Sequence, residues 1–316
     1  MRSPPVPFHV SPDDAGQRLD RFIRKLLPAA TLGHLQKLLR EGRITLDGDR
    51  AAGKARLTHG AIVAFDVDPK LLEQLRRPRR RVMRPWGSGA ALASLRVVFR
   101  DEHLLVIDKP GGLPVHAGTG VGDDHLVARV LPLLPQGEAL TFRPAPAHRI
   151  DRGASGLVIF GLSGEGLRQM VERFRQNQVQ KTYLALVRRQ PKEALGEVDT
   201  PLAPAKPNSA SRPRAVPAAD GKPARTRWRH VETRGGLSLL EVEIEYGRTH
   251  QIRAHLASVG MPLAGDRRYG DPEPLVGAEG RFGLHAARLA FAHPVTGTPV
   301  ALEAPLPADL AGLLVV

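Results

Sequence analysis

From Leu237 to Glu245 the chain changes face at every residue, with Leu239, Glu241, Glu243 and Glu245 on one side and Leu240, Val242 and Ile244 on the other. This alternation commits the segment to a half-buried β-strand, since successive side chains along a strand point to opposite faces of its sheet. Similar runs precede it. Leu95-Arg96-Val97-Val98-Phe99 and Leu104-Leu105-Val106-Ile107 flank an Asp101-Glu102 turn, and the second run ends at Asp108-Lys109-Pro110-Gly111-Gly112, a Pro-Gly break. Residues 179–187 are alternating and β-branched and read as another strand. Helical spacing appears over 124–134, and over 166–176, where Leu167, Met170, Val171 and Phe174 form a core face. Strand runs with a few helices set between them predict an α+β chain.

The first 67 residues have their own pattern. Leu19, Phe22, Ile23, Leu26 and Leu27 share a helical face that Pro28 ends, and Thr31 is a suitable cap for a second helix carrying Leu32, Leu35, Leu38 and Leu39. A strand from Arg43 reaches the Asp47-Gly48 turn, and another covers 61–67. Arg18, Arg21, Lys37 and Arg40 make this segment basic. Residues 68–93 read as a basic linker, because the block Arg76-Arg77-Pro78-Arg79-Arg80-Arg81 repels itself and favours an extended, solvated state. A larger domain then covers 94–316. Within it, 201–223 lacks periodicity and reads as an exposed loop.

Charge narrows the partner. The 316 residues include 46 Lys and Arg against 32 Asp and Glu, a formal net charge of +14, which calls for a polyanion such as nucleic acid. Aromatic residues are 4% of the chain, so arginine planes must supply part of any base stacking. The lack of cysteine excludes a thiol nucleophile, a thiolate zinc site and a disulfide framework. No metal is expected either: His250 and His255 are five apart, which points them in different directions on a helix, and no His-Glu-x-x-His pattern is present. With no signal-like start and no membrane-length apolar run, the expectation is a soluble, cytoplasmic protein.

The chemistry centres on His148-Arg149-Ile150-Asp151-Arg152-Gly153-Ala154-Ser155-Gly156-Leu157. Arg149 and Arg152 flank one carboxylate and favour its ionised form, which suits a nucleophile or base. Alone, the same residues describe a surface turn with an ion pair. The decapeptide resembles the His-Arg-Leu-Asp-x-x-Thr-Ser-Gly-Leu motif of the RluA family of RNA pseudouridine synthases, with Ile150 for Leu and Ala154 for Thr. Two more motifs follow in the family's order, Lys181-x-Tyr183-x-Ala185 and Gly247-Arg248-Thr249-His250-Gln251-Ile252-Arg253, with Tyr246 where Thr is common. Asp108-Lys109-Pro110 with Val115-His116 resembles the family's opening, and 262–270 and 284–289 match as well. The likeness runs from about Gly16 to Pro305.

The resemblance implies a mixed, mainly antiparallel sheet with helices flanking a central cleft, behind an N-terminal domain like that of ribosomal protein S4. It implies isomerisation of uridine to pseudouridine in RNA without a cofactor. Asp151 would either attack ribose C1′ or remove a ribose proton, Arg253 would hold it ionised, and Tyr183 would lie against the uracil. Arg149, Arg152, His116, Arg248, His250, Arg18, Arg21, Lys37 and Arg40 are the candidate RNA contacts. Lys109 could meet phosphate or serve the fold. The 11–16 entry and Gly118-Thr119-Gly120 look most like the RluC-like branch, so large-subunit (23S) ribosomal RNA is the expected substrate, with tRNA the alternative and a monomer the expected state. A noncatalytic RNA-binding or ribosome-assembly factor would share the basic surface without needing Asp151.

Overall fold

The computed structural model describes residues 4–77, 95–118, 122–135, 137, 139–205, 214–278 and 280–315. Among them, one long sheet forms the body of the chain. From one edge it runs Leu195–Asp199, Arg225–Arg234, Leu237–Glu245, Gln180–Val187, Leu284–Ala292, Ser155–Gly161, Leu104–Lys109 and Arg96–Arg100. Pro299–Glu303 and Ala145–Pro146 add to the middle strands. The pairings are antiparallel except where Leu284–Ala292 runs parallel to Ser155–Gly161, through His285 opposite Ser155 and Ala286 opposite Gly156. This mixed, mainly antiparallel sheet agrees with the expected fold class. No helix among the described residues is long and apolar enough to cross a membrane.

Ser155–Gly161 is buried along its whole length. Leu105, Ile107, Val158, Phe160, Ala185, Val242 and Leu284 pack on one side of the sheet, while Leu104, Val106, Leu157, Ile159 and Met170 pack on the other. Met170 lies on the helix Gly164–Arg175, but Val171, expected on the same core face, is 44% exposed. The helix touches the sheet along a stripe too narrow to cover both residues.

The N-terminal segment has a separate core. Helices Leu19–Leu26 and Leu32–Arg40 pack on strands Ile44–Leu46 and Ile62–Phe65, with Phe22, Ile23, Leu35, Leu38, Val63 and Phe65 buried among them. Thr31 caps the second helix through the His34 amide, and Asp47-Gly48 makes the left-handed turn to Asp49–Arg50. Two features were not anticipated. Val6–His9 adds an edge strand beside Ile62–Phe65. Residues 69–76, expected to begin the linker, form a helix capped by Asp68, and its Leu72 is buried in the same core. Residues 78–94, with the rest of the arginine block and Arg84–Gly87, lie outside the described residues.

Asp14 fastens this segment to the body. Its buried carboxylate accepts the amides of Leu140, Thr141 and Phe142 at 2.7, 3.0 and 2.8 Å, together with the Thr141 hydroxyl at 2.6 Å. Burial alone would raise its pKa, but hydrogen bonds from Thr141, Ser11 and the 140–141 amides outweigh it and the net shift is downward. The expected loop at 201–223 is also more ordered than its composition suggests. Leu202–Pro204 pairs with Ala215–Pro217, and Ala215 packs with Ala254 and Tyr269. Residues 206–213 lie outside the described residues.

Candidate active site

The turn before Ser155–Gly161 is held from several directions. The Ala154 amide donates to the Asp151 carbonyl at 3.2 Å. His148 stacks on Phe174 at 4.3 Å and its Nε2 accepts the Ile159 amide at 3.1 Å. Burial pushes the His148 pKa down to about 3, which keeps that nitrogen free to accept. Gly156 has φ +111, and a Cβ there would lie 2.3 Å from the Ala286 carbonyl oxygen, so only glycine allows the parallel strand this close. A Cβ on Gly153 would meet the Phe282 ring at 2.5 Å.

Asp151 stands on this turn, and Arg253 reaches it from the helix Gln251–Ser258, Nη1 to Oδ2 at 2.9 Å. Arg253 is only 6% exposed and is itself gripped by Asp266, Nε to Oδ2 at 2.7 Å and Nη2 to Oδ1 at 2.9 Å. The rings of Phe282 and Tyr269 lie 4.4 and 4.9 Å from its guanidinium carbon. Burial would pull the Arg253 pKa down, but the Asp266 hydrogen bonds and both carboxylate charges push it above its ordinary value. One guanidinium thus serves two carboxylates. Asp266 fixes its plane, and the remaining nitrogen is aimed at Asp151.

His250 is the residue before this helix, with φ +55 and ψ +25. From there its Nε2 lies 3.8 Å from Asp151 Oδ1 and its Nδ1 lies 3.1 Å from the Tyr269 hydroxyl. Burial, with Arg253 and Arg268, outweighs Asp151 and lowers its pKa, leaving the imidazole neutral at pH 7. Gln251 secures the turn: Nε2 donates to the carbonyls of Arg225 and Glu245, and Oε1 accepts the Arg248 amide.

These groups line an open cavity of about 390 Å³. Its floor holds Asp151, Tyr183, Lys181, Ile252, Arg253 and Leu284, and its exposed rim holds Arg149, Val171, Arg175 and Tyr246. Lys181 and Tyr183 are two apart on one strand and therefore face the same way. Burial, then the Asp151 charge, raises the Tyr183 pKa, so the phenol keeps its proton. The pocket can take a planar ring against an aromatic wall, with the Asp151 carboxylate beside it.

A family model described as RNA pseudouridylate synthase matches residues 103–258. An uncharacterized RNA pseudouridine synthase of Chloroflexus aurantiacus is 35% identical over 305 residues, spanning 95% of this chain and 90% of its own. The chain belongs to the RluA family of RNA pseudouridine synthases. Ribosomal large subunit pseudouridine synthase D of Nitrosomonas europaea is 34% identical, covering 96% of this chain and 85% of its own. Ribosomal large subunit pseudouridine synthase C of Escherichia coli K12 is also 34% identical, covering 94% and 92%. Among solved structures, human RNA pseudouridylate synthase domain containing 4 aligns with TM-score 0.53 at 26% identity, over 69% of this chain and 91% of its own. The human domain containing 1 protein aligns with TM-score 0.56 at 24% identity, over 72% and 89%, a likeness of fold alone.

In this pseudouridine synthase the expected RNA contacts are distributed unevenly. Arg149, Arg248 and His250 line the cavity. His116 is exposed. Arg152 is exposed but turns away, its Nε donating to the Gly112 carbonyl at 3.0 Å. Arg18, Arg21, Lys37 and Arg40 are exposed on the N-terminal segment, where Arg18 pairs with Asp20 and Lys37 lies 3.8 Å from Glu41. Of the Gly118-Thr119-Gly120 run, the last two residues lie outside the described residues.

Lys109 serves the fold and does not meet phosphate. It is fully buried, with Nζ 2.5 Å from the Ala154 carbonyl, 2.7 Å from that of Leu113 and 2.8 Å from that of Pro110, so no phosphate can reach it. Its ammonium ties the family's opening segment to the Asp151 turn. Lys109→Met leaves these buried carbonyls without a donor and should lower unfolding stability by about 2–4 kcal/mol. Urea denaturation measures this, and a midpoint equal to the parent's would remove Lys109 from the framework.

Sequence reasoning gave no role to Asp266, Tyr269 or Phe282. Asp266 lies in the 262–270 stretch that matches the family, but beside Arg267 and Arg268 it looks like surface charge. The usable signal was a lone acid within a matched segment, downstream of an arginine needing a second partner.

Proposed function

We propose that this pseudouridine synthase modifies uridines of large-subunit ribosomal RNA, with Asp151 as the catalytic carboxylate and the target nucleotide flipped into the cavity. The observation that supports this most directly is the Asp266–Arg253–Asp151 line at the base of a cavity open to solvent. Pseudouridine formation breaks the bond from C1′ to N1, turns the uracil and rejoins it through C5. No water is consumed, so one carboxylate suffices where glycoside cleavage uses two. With Oδ2 on Arg253 and Oδ1 3.8 Å from His250 Nε2, Oδ1 is the oxygen left to attack C1′ or take a ribose proton. Tyr183, kept protonated, favours stacking on the uracil over acting as a base.

A uridine in folded RNA must leave its stack to reach this floor, at a cost of a few kcal/mol. Arg149 fills the vacated gap, a role supported by its exposed position at the cavity rim. The segment up to residue 67 acts as an S4-like RNA-binding domain, its exposed Arg18, Arg21, Lys37 and Arg40 meeting phosphates. The ribosomal substrate is supported by the Nitrosomonas and Escherichia relatives, both ribosomal large subunit pseudouridine synthases. Chemical mapping of pseudouridine in large-subunit ribosomal RNA, from cells with and without this protein, tests it. One or more uridines should lose modification, and an unchanged map rejects the ribosomal substrate.

A further inference from the structure

We propose that Tyr246, backed by Arg248, is a stacking platform for the base next to the target uridine, an inference that rests on the cavity being the uridine site. The chain has three tyrosines, and all three are at this site. Tyr183 is in the floor and Tyr269 lies against Arg253 and His250. Tyr246 is on the rim, 42% exposed.

Folding does not call for a tyrosine here. Tyr246 has φ +71, the left-handed region that bulky side chains avoid and that glycine or asparagine enters readily. Its turn is secured by the main chain instead. The Tyr246 amide donates to Asn177 Oδ1 at 3.0 Å, and the same oxygen accepts Lys181 Nζ at 2.8 Å, tying the rim to the cavity wall. The ring therefore bears strain without contributing core packing. Strain of this kind is found where a side chain serves a ligand.

The ring's neighbour indicates the ligand. The guanidinium carbon of Arg248 lies 5.3 Å from the Tyr246 centroid, and its Nε is fixed on the Pro223 carbonyl at 2.9 Å. A tyrosine ring beside a guanidinium plane is the surface on which unstacked RNA bases settle. An RNA strand that delivers one nucleotide to Asp151 must carry the adjoining base past this rim. The tyrosine, where the family motif commonly has threonine, makes the platform a specificity determinant of this chain.

The test uses the full-length protein and a ribosomal RNA fragment carrying the mapped uridine, with each neighbouring base in turn replaced by an abasic residue. With the parent, removing the base on one side should raise KM roughly tenfold. Tyr246→Gly should cause a similar rise on intact RNA, and the two losses should not multiply. Tyr246→Trp should keep the parent's KM. Because glycine relieves the left-handed strain, Tyr246→Gly should unfold no earlier than the parent, which separates lost stacking from lost fold. A KM within about twofold of the parent for Tyr246→Gly, or losses that multiply at both neighbours, would overturn the platform. Failure of the uridine-site reading would look different, as product formed by Asp151→Asn.

Discussion

Asp151→Asn is expected to bind the RNA fragment with the parent's affinity while pseudouridine formation falls by at least about ten-thousand-fold. The amide has the size of the carboxylate and can still accept from Arg253, but it has neither the charge to meet electron deficiency at C1′ nor the basicity to take a ribose proton. The turn should survive, because its conformation depends on groups other than this side chain. Lys109 holds the Ala154 carbonyl, Phe282 lies against Gly153, and Gly156 lets the parallel strand approach. Arg253 keeps its two bonds to Asp266. Single-turnover conversion beside a binding isotherm separates the two effects. A variant converting at even about a hundredth of the parent's rate would move the catalytic role elsewhere.

The approach of 151 to 253 could be expected from the sequence only through the family motifs. Nothing in the spacing of residues 102 positions apart brings an arginine onto an aspartate. Strand periodicity fared better: Leu237–Glu245 and Gln180–Val187 are both paired strands in the sheet, although Leu239 and Leu186 are buried in a second cluster on the face opposite Leu240 and Ala185. Missing periodicity misled where tertiary packing overrode composition. The 201–223 segment lacks a repeating pattern, yet Ala215 donates its amide to the Tyr269 hydroxyl and is drawn into a ribbon. The helix Pro69–Arg76 was obscured by the arginines that follow it, although Asp68-Pro69 is a helix start. Left-handed His250 was also out of reach, since its conformation follows from the Gln251 side chain binding main-chain groups on two strands. Asp266 was harder still. A residue whose task is to orient another carries no chemical pattern of its own.

That indirect role makes Asp266→Ala the second large effect. Its carboxylate is 1% exposed and holds two of the Arg253 nitrogens, so its removal leaves a buried guanidinium with Asp151 as its only carboxylate partner. Breaking one side of such a pair should lower unfolding stability by about 3–5 kcal/mol. Freed from its plane, Arg253 can swing toward Asp151 and take up its second oxygen as well. A displacement of about 1 Å at this distance from the chemistry costs on the order of a hundredfold in rate. Urea denaturation and single-turnover conversion, below the variant's melting range, read the two losses separately. Arg253→Met/Asp266→Ala removes the stranded charge as well, so it should recover part of the stability while the rate stays low. If the single variant unfolds with the parent and converts at the parent's rate, Asp266 does not orient Arg253. The arginine would then have to be positioned by Asp151 and the Phe282 and Tyr269 rings.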